Sequence, residues 1–535
     1  MAHDPVDMMN TRLAVIWGRN PAASNVHTLP FLREAKARGA TVVVIDPVPT
    51  PTVSLADIWV SPRPGTDGAL ALGMAHEIIR CGLIDEQFIR SRTYGFEQFR
   101  RMVEGFPPET ASRICDVPVG TIRSLAHLYG KTKPATILMG YGVQHYYNGG
   151  HTIRAIDALA ALTGNIGIPG GGANYGSSTM ADWICPVDGR ELRRPNPASG
   201  QDPVRPRLFP RPVMAKRILE ANSASSTEPP VRAMVISRAN PVNQVPNSRR
   251  TIEAMTTVPF KVTIDIRMSE TALLSDLVLP ATSWLEECDI MLCSWHNYIT
   301  FTEQAIEPRG EAMHEKDIFA LVSERLGIDA GLDKSLEYWA DVALRPLNRF
   351  GITAAALKGR SVRLPVAPIV AWEDGKFRTP SGRFEFYSLR AESEGIDPLP
   401  RWVEPFECAT DDQEYPFIAV NARRIGHMHS QFAETLLRDG RVPVLISRKA
   451  AAEVGVEEGD GVEVIARPRD RSVCPGRVKG IVIPVDEMRE DVVVGYEGPS
   501  VLSDQGPNLI SPDILTDFGL SAAYCDCRVR IEKRD

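Results

Sequence analysis

The sequence predicts an α/β fold in which two related α/β domains precede an all-β, barrel-like domain at the C-terminus. The first observation behind this prediction is an internal repeat, since residues 13–21 read LAVIWGRNP and residues 233–241 read AMVISRANP. Each copy is an apolar run that ends in a polar turn closing on Asn-Pro, and a second apolar run ending in Asp46 or Asp265 follows 25 or 24 residues after the proline. The second observation is a change near residue 405, after which short apolar strands alternate with turns.

The repeated unit is of β-α-β type. In the first copy, residues 13–17 predict a strand, 25–38 an amphipathic helix, and 41–46 a β-branched strand buried on both faces. A third matched segment carries Asp57 in one copy and Asp276 in the other, each 11 residues beyond the preceding aspartate. The alternative interpretation of this match is that it records only an old duplication and implies no pair of ligands. The polar turns repeat as well as the core, however, and ligands of open α/β sheets bind at strand C-termini, which favours two similar ligands or one ligand with two similar ends.

The chain divides into three predicted domains. Their boundaries are 1–175, 176–400 and 401–535. The first ends after a capped helix that stops at Gly164. Residues 170–230 are rich in Gly, Pro, Ser and Asn, so they predict a long irregular crossover, and long loops of this kind are usually functional. Six short strands between about 405 and 533 predict a barrel.

Composition excludes several classes of protein. A net charge of −7 gives no reason to expect nucleic acid or an anionic membrane as a partner. The nine cysteines form no CxxC pair, which argues against an iron–sulfur cluster or structural zinc site held by such a motif. No stretch approaches 18 apolar residues and the first dozen residues do not resemble a signal peptide, so we expect no direct membrane insertion and a cytoplasmic location. The alternative is a periplasmic location, which requires that the true N-terminus precede residue 1.

Polar residues at strand ends are the candidate site. The turn WGRNPAASN has one glycine and is not a dinucleotide fingerprint, but a strand, a glycine turn and a helix start suit a phosphate. Asp46 is placed like the ribose- or base-reading acid of nucleotide folds, or else it merely ends a strand. Gly65-Thr66-Asp67 either hydrogen-bonds a guanine or caps a helix. Gln144 either reads a polar heterocycle or is a surface loop residue.

A second group of polar residues follows the first strand of the late β region. His427 and His429 have the H-x-H spacing of metal ligands, but no third ligand is near in sequence, so polar contacts are favoured over a metal. Arg423 and Arg424 suit the phosphate or carbonyl groups of a ligand.

Nine segments in a fixed order resemble one family. They are LAVIWGRNP, VVVIDP, ADIWVSPRPGTDGAL, ILMGYGVQHYYNGG, ALTGNIGIPGGGAN, MVISRANPVNQ, DIRMSETALLSDLVLPATSWLEE, TPSGRFEF and NARRIGHMHSQ. Together they resemble the molybdopterin oxidoreductases of the dimethyl sulfoxide reductase type. That resemblance implies a molybdenum or tungsten ion bound by two molybdopterin guanine dinucleotides, two pseudo-twofold-related α/β nucleotide-binding domains, and a C-terminal double-psi-type β-barrel over both pterins.

The resemblance also implies the cofactor-binding residues. The first nucleotide site would use Gly18, Asn20, Asp46, Pro64, Gly65 and Asp67, with Gly142, Val143 and Gln144 facing the cofactor. The second would use Asn240, Pro241, Asp265, Ser269, Glu270 and Thr271. The barrel would contribute Arg423, His427, Ser430 and Asn508. No catalytic residue and no protein ligand to the metal is identified.

One departure from the family pattern shapes the expected function. Family members carry, ahead of the position of Met1, a segment that often binds a 4Fe-4S cluster and supplies the protein ligand to the metal. We therefore expect this chain to be the cofactor-binding portion of an oxidoreductase, inactive alone and completed by a missing N-terminal segment or subunit, which would bring any 4Fe-4S cluster. An iron–sulfur electron-transfer subunit is a further expected partner. The alternative is a non-catalytic scaffold subunit of an electron-transfer complex that keeps the fold without the metal.

Overall fold

A computed structural model describes residues 2–176, 183–184, 207–408, 412–433, 437, 440–469 and 476–534. The strands of these residues are β1 Leu13–Trp17, β2 Thr41–Ile45, β3 Ile58–Val60, β4 Thr93–Tyr94, β5 Ala135–Met139, β6 Ala173–Asn174, β7 Ala233–Ser237, β8 Phe260–Asp265, β9 Leu277–Pro280, β10 Asp289–Leu292, β11 Tyr298–Thr302, β12 Ser361–Arg363, β13 Phe384–Glu385, β14 Phe417–Ala422, β15 Pro443–Ser447, β16 Gly461–Ala466, β17 Arg477–Val485, β18 Val492–Tyr496 and β19 Arg528–Lys533.

The α-helices of the same residues connect and cover these strands. They are α1 Pro21–Ser24, α2 Leu29–Ala37, α3 Asp67–Arg80, α4 Glu86–Arg92, α5 Phe96–Glu104, α6 Pro108–Cys115, α7 Val119–Lys131, α8 Gly149–Leu162, α9 Met214–Ala221, α10 Pro241–Gln244, α11 Ser248–Thr256, α12 Glu270–Leu273, α13 Glu315–Arg325, α14 Leu336–Leu344, α15 Ala354–Leu357, α16 Leu389–Ser393 and α17 Arg448–Glu453. None of the helices described is both long and apolar enough to span a bilayer.

A five-stranded sheet forms the first α/β unit, in the order β3-β2-β1-β5-β6 with parallel pairing. Every residue of β1 is buried, because helices cover both faces of a parallel sheet. The helix expected at 25–38 begins only at Leu29; Val26–Thr28 form a 3-10 turn ahead of it. The long buried helices α3 and α8 pack against each other beside this sheet.

A three-stranded parallel sheet, β7-β8-β9, repeats the β1-β2-β3 portion of the first sheet. In the first sheet β1 is flanked by β2 and β5, whereas among the described residues β7 pairs with β8 alone. One face of β7 is also exposed to solvent, since the Val235 side chain on it is 55% exposed. The repeat predicted from the sequence is therefore present as structure, but its second copy is less covered than the first.

The aspartates of the third matched segment, Asp57 and Asp276, hold one strand to the next. The Asp57 carboxylate accepts a hydrogen bond from the Val42 backbone N–H at 2.8 Å. The Asp276 carboxylate accepts one from the Lys261 N–H at 2.7 Å in the second copy. Both aspartates stand just ahead of the third strand, so this part of the repeat holds β2 to β3 and β8 to β9.

The C-terminal barrel confirms the all-β prediction. It is closed, with the strand order β14-β18-β15-β17-β16-β19, and its six strands coincide with the six short apolar runs of the sequence. Alternating inward-facing valines and isoleucines fill its core. Closure removes the exposed edges that an open antiparallel sheet would present.

The predicted irregular crossover at 170–230 needs a correction. Residues 177–182 and 185–206 lie outside the described residues, but Met214–Ala221 form a regular helix within that stretch. Ala215, Ile218 and Ala221 are its buried face, and Ala215 and Ile218 pack with Ala254 of α11. The sequence does contain apolar residues at a spacing of three, which is typical of a helix face. The Pro- and Ser-rich residues on both sides led to the prediction of an irregular segment instead.

Residues near the end of the predicted second domain pack on the first unit. Strand β13 pairs with β4 in parallel, and Phe386 and Leu399 belong to the hydrophobic core that surrounds β1 and β5. The division into 1–175, 176–400 and 401–535 stays a prediction, and the chain returns to the first unit before it enters the barrel.

Candidate functional site

A cavity of about 610 Å³ lies where β1, β2 and β5 end, beneath the barrel. This is where an open α/β sheet places its ligands. Ten of the residues predicted from the sequence line it. They are Gly18, Asn20, Asp46, Pro64, Asp67, Gly142, Val143, Gln144, Arg423 and Asn508. The cavity wall thus combines residues that are far apart in sequence. They come from the turns of the first α/β unit and from the barrel.

Two glycine turns meet at the floor of this cavity. Gly18 has φ +55°, and a Cβ there would lie 2.6 Å from Cγ1 of Val143. A Cβ on Gly140 would lie 1.9 Å from the carbonyl oxygen of Gly18. The turns that follow β1 and β5 can therefore approach this closely only because both positions lack a side chain.

Two carboxyl groups are buried in the cavity wall. Asp46 Oδ1 accepts a hydrogen bond from the Val48 N–H at 2.9 Å, and Asp67 Oδ1 accepts one from the Trp17 indole N–H at 2.7 Å. Burial raises the pKa of Asp46 to about 7, and the nearby charge of Asp67 adds to that rise. Burial likewise raises the pKa of Asp67 to about 6. Carboxylates this poorly solvated favour a ligand that offers N–H donors.

The raised pKa of Asp46 predicts a pH dependence with a definite sign. The ordinary pKa of an aspartate is 3.8. Between pH 3.8 and about pH 7, Asp46 therefore keeps a proton in the folded protein that it releases in the unfolded chain. The free energy of unfolding therefore falls as pH rises through that window. We expect the Asp46→Asn variant, which mimics the protonated form, to match the wild type at pH 4 and to exceed it by on the order of 4 kcal/mol at pH 8. Denaturant titrations of ligand-free protein across that range measure the difference, and a difference independent of pH would contradict the assignment.

Arg19 and Trp295 are cavity residues that the sequence analysis missed. The Arg19 guanidinium lies 3.5 Å from the ring centroid of Trp295, and its Nη1 donates to the Met139 carbonyl at 2.8 Å. Burial lowers the pKa of Arg19 to about 10, so the group stays charged at neutral pH. It can bind an anion. The position of Arg19 between Gly18 and Asn20, two predicted residues, was a sequence signal that could have identified it. The sequence contained no such signal for Trp295, because its contact with Arg19 is tertiary.

Two tyrosines support the predicted residue Gln144. The Tyr175 hydroxyl donates to the Gln144 side-chain oxygen, and the Tyr141 ring packs edge-on against that of Tyr175 with centroids 5.1 Å apart. All three residues line the cavity, which favours a ligand contact for Gln144 over the surface-loop alternative. Neither tyrosine was predicted from the sequence.

The two Asn-Pro turns have the same structure. Asn20 has φ −119° and ψ 73°, and Asn240 has φ −120° and ψ 68°. The side-chain oxygen of Asn20 accepts a hydrogen bond from the Thr52 hydroxyl at 2.8 Å, and that of Asn240 accepts one from the Thr271 hydroxyl at 2.8 Å. The repeat therefore extends beyond the core to side-chain hydrogen bonds.

One position of the turn differs between the copies. Arg238 takes the place of Gly18 and adopts the same left-handed backbone, with φ +48°. Its guanidinium makes two hydrogen bonds to Glu287, at 2.7 and 2.6 Å, and also binds Glu315. Hydrogen bonds to these carboxylates raise the pKa of Arg238. Ion pairs thus hold a conformation that glycine adopts freely in the first copy.

The other predicted residues stand apart from the described cavity wall. They are Gly65, Asn240, Pro241, Asp265, Ser269, Glu270, Thr271, His427 and Ser430. Asp265 accepts from the Ser269 hydroxyl at 3.0 Å at the end of β8. The second turn reaches the cavity instead through Asn243 and Gln244 of α10, and Gln244 Nε2 donates to Ser430 Oγ at 3.4 Å.

The barrel contributes a polar roof. Glu497 Oε2 lies 3.4 Å from Arg423 Nη2 and 3.2 Å from His429 Nδ1, and His429 rather than His427 lines the cavity. Asn508 Nδ2 donates to the Asn243 carbonyl at 2.6 Å, while its buried Oδ1 has no partner among the described residues. A free acceptor here, the carboxylates below it and the Arg19 cation suit a ligand with several N–H donors and an anionic part.

Comparison with known proteins adds a family and a fold. A family model described as molybdopterin oxidoreductase matches residues 2–325. The probable oxidoreductase YyaE of Bacillus subtilis (strain 168) is 32% identical over 537 residues, which cover 99% of this chain and 77% of that protein. The dimethyl sulfoxide/trimethylamine N-oxide reductase of Rhodobacter capsulatus is 30% identical over 96% of this chain and 70% of its own length. The structure of acetylene hydratase from Pelobacter acetylenicus superimposes with a TM-score of 0.79 at 21% identity, over 99% of this chain and 80% of that one.

Proposed function

This chain belongs to the molybdopterin oxidoreductase family, and on that premise we propose that it binds a molybdenum or tungsten bis(molybdopterin guanine dinucleotide), one dinucleotide at each Asn-Pro turn. The chain is an oxidoreductase of the molybdopterin type. The observation that carries the finer proposal is the duplicated turn, with one backbone conformation and one Asn–Thr hydrogen bond in both copies. Bound, the metal would supply the redox chemistry.

The chemistry of the first half-site fits a guanine dinucleotide. Asp46 and Asp67 would accept from the N–H groups of a guanine, since each is a buried carboxyl group facing the cavity. Arg19, charged and held in place by Trp295, would bind a diphosphate. Asn508, with its unpartnered oxygen in the roof, would accept from a further donor such as a pterin N–H.

The second half-site would use the equivalent strand end. Asp265 is the last residue of β8, whereas Asp46 directly follows β2, and Asp265 is half-buried where Asp46 is buried. Asn243 and Gln244 would carry this half-site to the shared cavity. The proposed second dinucleotide would therefore lie closer to solvent than the first.

We expect protein isolated from a molybdopterin-competent host to release about two equivalents of GMP per chain on acid hydrolysis. The Asp265→Asn variant is expected to retain about one, because it removes a charged acceptor from one half-site only. Quantitative nucleotide analysis of both proteins, normalised to chain concentration, makes the comparison. Wild-type protein without pterin fluorescence and without GMP would contradict the proposal.

A second candidate function is a scaffold subunit that keeps the fold without the metal. Such a subunit needs the apolar core but not the polar turns, and the buried pair Asp46 and Asp67 would then be a cost to stability without a use. Retention of both carboxyl groups favours the oxidoreductase. Metal analysis of the native complex separates the two candidates. An iron–sulfur electron-transfer subunit is the partner we propose for the redox function, because the electrons need a route away from the metal.

A further inference from the structure

Outside the cavity, three side chains with metal-binding atoms meet on the surface of the first α/β unit. Glu77 and Cys81 lie one turn apart at the C-terminal end of α3, so they share one face of that helix, and His127 reaches them from α7. The helix rises about 1.5 Å per residue, which places Glu77 about 15 Å along α3 from Asp67 in the cavity wall. The cluster is separate from the proposed cofactor site.

The three ligand atoms form a compact triangle. Cys81 Sγ lies 3.3 Å from Glu77 Oε1 and 3.6 Å from His127 Nε2, and Nε2 lies 3.1 Å from Oε1. Zinc bonds of about 2.3 Å to sulfur and about 2.0–2.1 Å to nitrogen and oxygen, at tetrahedral angles, separate such atoms by about 3.5, 3.5 and 3.3 Å. The observed edges match those of a tetrahedral site within a few tenths of an ångström.

We propose that Glu77, Cys81 and His127 bind one zinc ion, with the fourth position open to solvent. Three protein ligands and one exchangeable position are a common zinc arrangement. The Glu77 side chain is 1% exposed and that of His127 is 38% exposed, so the open position faces outward. Thiolate and imidazole ligands together select zinc over magnesium or calcium, which prefer oxygen.

Arg80 is the nearest competing cation at this site, while Arg123 Nε lies 4.0 Å from Glu77 Oε2. Its Nη2 donates to Glu77 Oε1 at 2.7 Å and its Nε to Oε2 at 2.9 Å. Zinc takes the place of Nη2 at Oε1, and the Nε bond can then orient the ligating carboxylate from behind. The Arg80 side chain is 57% exposed and free to make that move.

The thiol of Cys81 carries its proton before a metal binds. Burial raises its pKa, and its hydrogen bond to Glu77 raises it further. The group is therefore a neutral thiol at physiological pH, and a metal ion binds by displacing its proton. A second cluster, Glu287, His314 and Glu315, contains no thiol, and Arg238 already pairs with both of its carboxylates.

Cobalt titration of the full-length protein, isolated with its cofactor and stripped of loose metal by a chelator, tests the site. We expect one equivalent of Co²⁺ to produce a thiolate-to-cobalt charge-transfer band, and Zn²⁺ to abolish it by displacement. Cys81→Ser removes the charge-transfer band, and His127→Gln lowers affinity by more than the roughly 10–100-fold that an outer-shell change costs. The controls Cys293→Ser and His27→Gln keep the wild-type titration.

A gain-of-affinity variant guards against effects of misfolding. Arg80→Gln removes the competing cation and leaves all three ligands, so it is expected to bind Co²⁺ more tightly than the wild type. Molybdenum content, measured alongside, stays unchanged in every variant. A charge-transfer band that persists in Cys81→Ser, or a wild-type titration that does not saturate at one equivalent, would overturn the proposal.

Discussion

Replacing Asp46 with asparagine is expected to lower affinity for the guanine dinucleotide by roughly 10- to 150-fold. A carboxylate that accepts a charge-assisted hydrogen bond contributes about 1.5–3 kcal/mol, and an amide in its place offers one neutral acceptor. The ligand-free variant should nevertheless be at least as stable as the wild type at pH 8, because asparagine removes a buried charge. Cofactor content after gel filtration, measured as GMP per chain, reports the loss.

Asp57→Asn is the matched control for that experiment. Asp57 stands at the edge of the same sheet, and its carboxylate accepts from the Val42 N–H and pairs with Lys36, but it does not line the cavity. We expect this variant to keep its cofactor. Equal GMP content in the Asp46 variant and the wild type would show that Asp46 only ends a strand.

Gly140→Ala is expected to be the most damaging single-methyl change in the first α/β unit. The added Cβ would lie 1.9 Å from the Gly18 carbonyl oxygen and 2.7 Å from Cα of Arg19, so main chain must move. Overpacking against side chains typically costs about 1–3 kcal/mol, and a clash with backbone belongs at or above the top of that range. Denaturation midpoints measure the loss of stability. Cofactor content should fall with it, because the displaced turns form the cavity floor.

Gly120→Ala supplies the comparison, since the same methyl group meets open space there. Gly120 lies in the first turn of α7, and a Cβ on it would have nothing within 4 Å. Alanine should leave stability unchanged or raise it by up to about 1 kcal/mol, because it reduces the freedom of the unfolded chain. Similar effects of the two substitutions would refute the close approach of the cavity-floor turns.

The fold class was predictable because its signals are local. Each strand of the repeat is a short apolar run closed by polar turn residues, and the barrel strands follow one another with turns between them. Asp46 was found for the same reason, as the polar residue that ends a buried strand. Helix α9 was missed because its three apolar positions, including Ile218, lie among residues typical of loops.

The rest of the site depends on tertiary contacts that no local pattern encodes. Trp295 stacks on Arg19 across the boundary between the two halves of the repeat, and Tyr175, which directly follows β6, supports Gln144. The repeat also suggested two equivalent half-sites, whereas Asp265 and its neighbours stand outside the described cavity wall. The sequence repeat predicted that both copies have the same turn. It did not predict that the two half-sites differ in exposure to solvent, because exposure depends on which other residues pack over each copy.

The left-handed residue of the second turn shows how a duplicated structure can diverge while its shape is conserved. Glycine holds this conformation at position 18 at little cost, and arginine at position 238 opposes it by about 1–2 kcal/mol. The pairs with Glu287 and Glu315 offset that strain, but ion pairs weaken as salt screens them. The two copies therefore respond to different conditions. We expect the second turn to be the more sensitive to ionic strength, but only modestly, because Glu287 is buried and buried pairs are screened less.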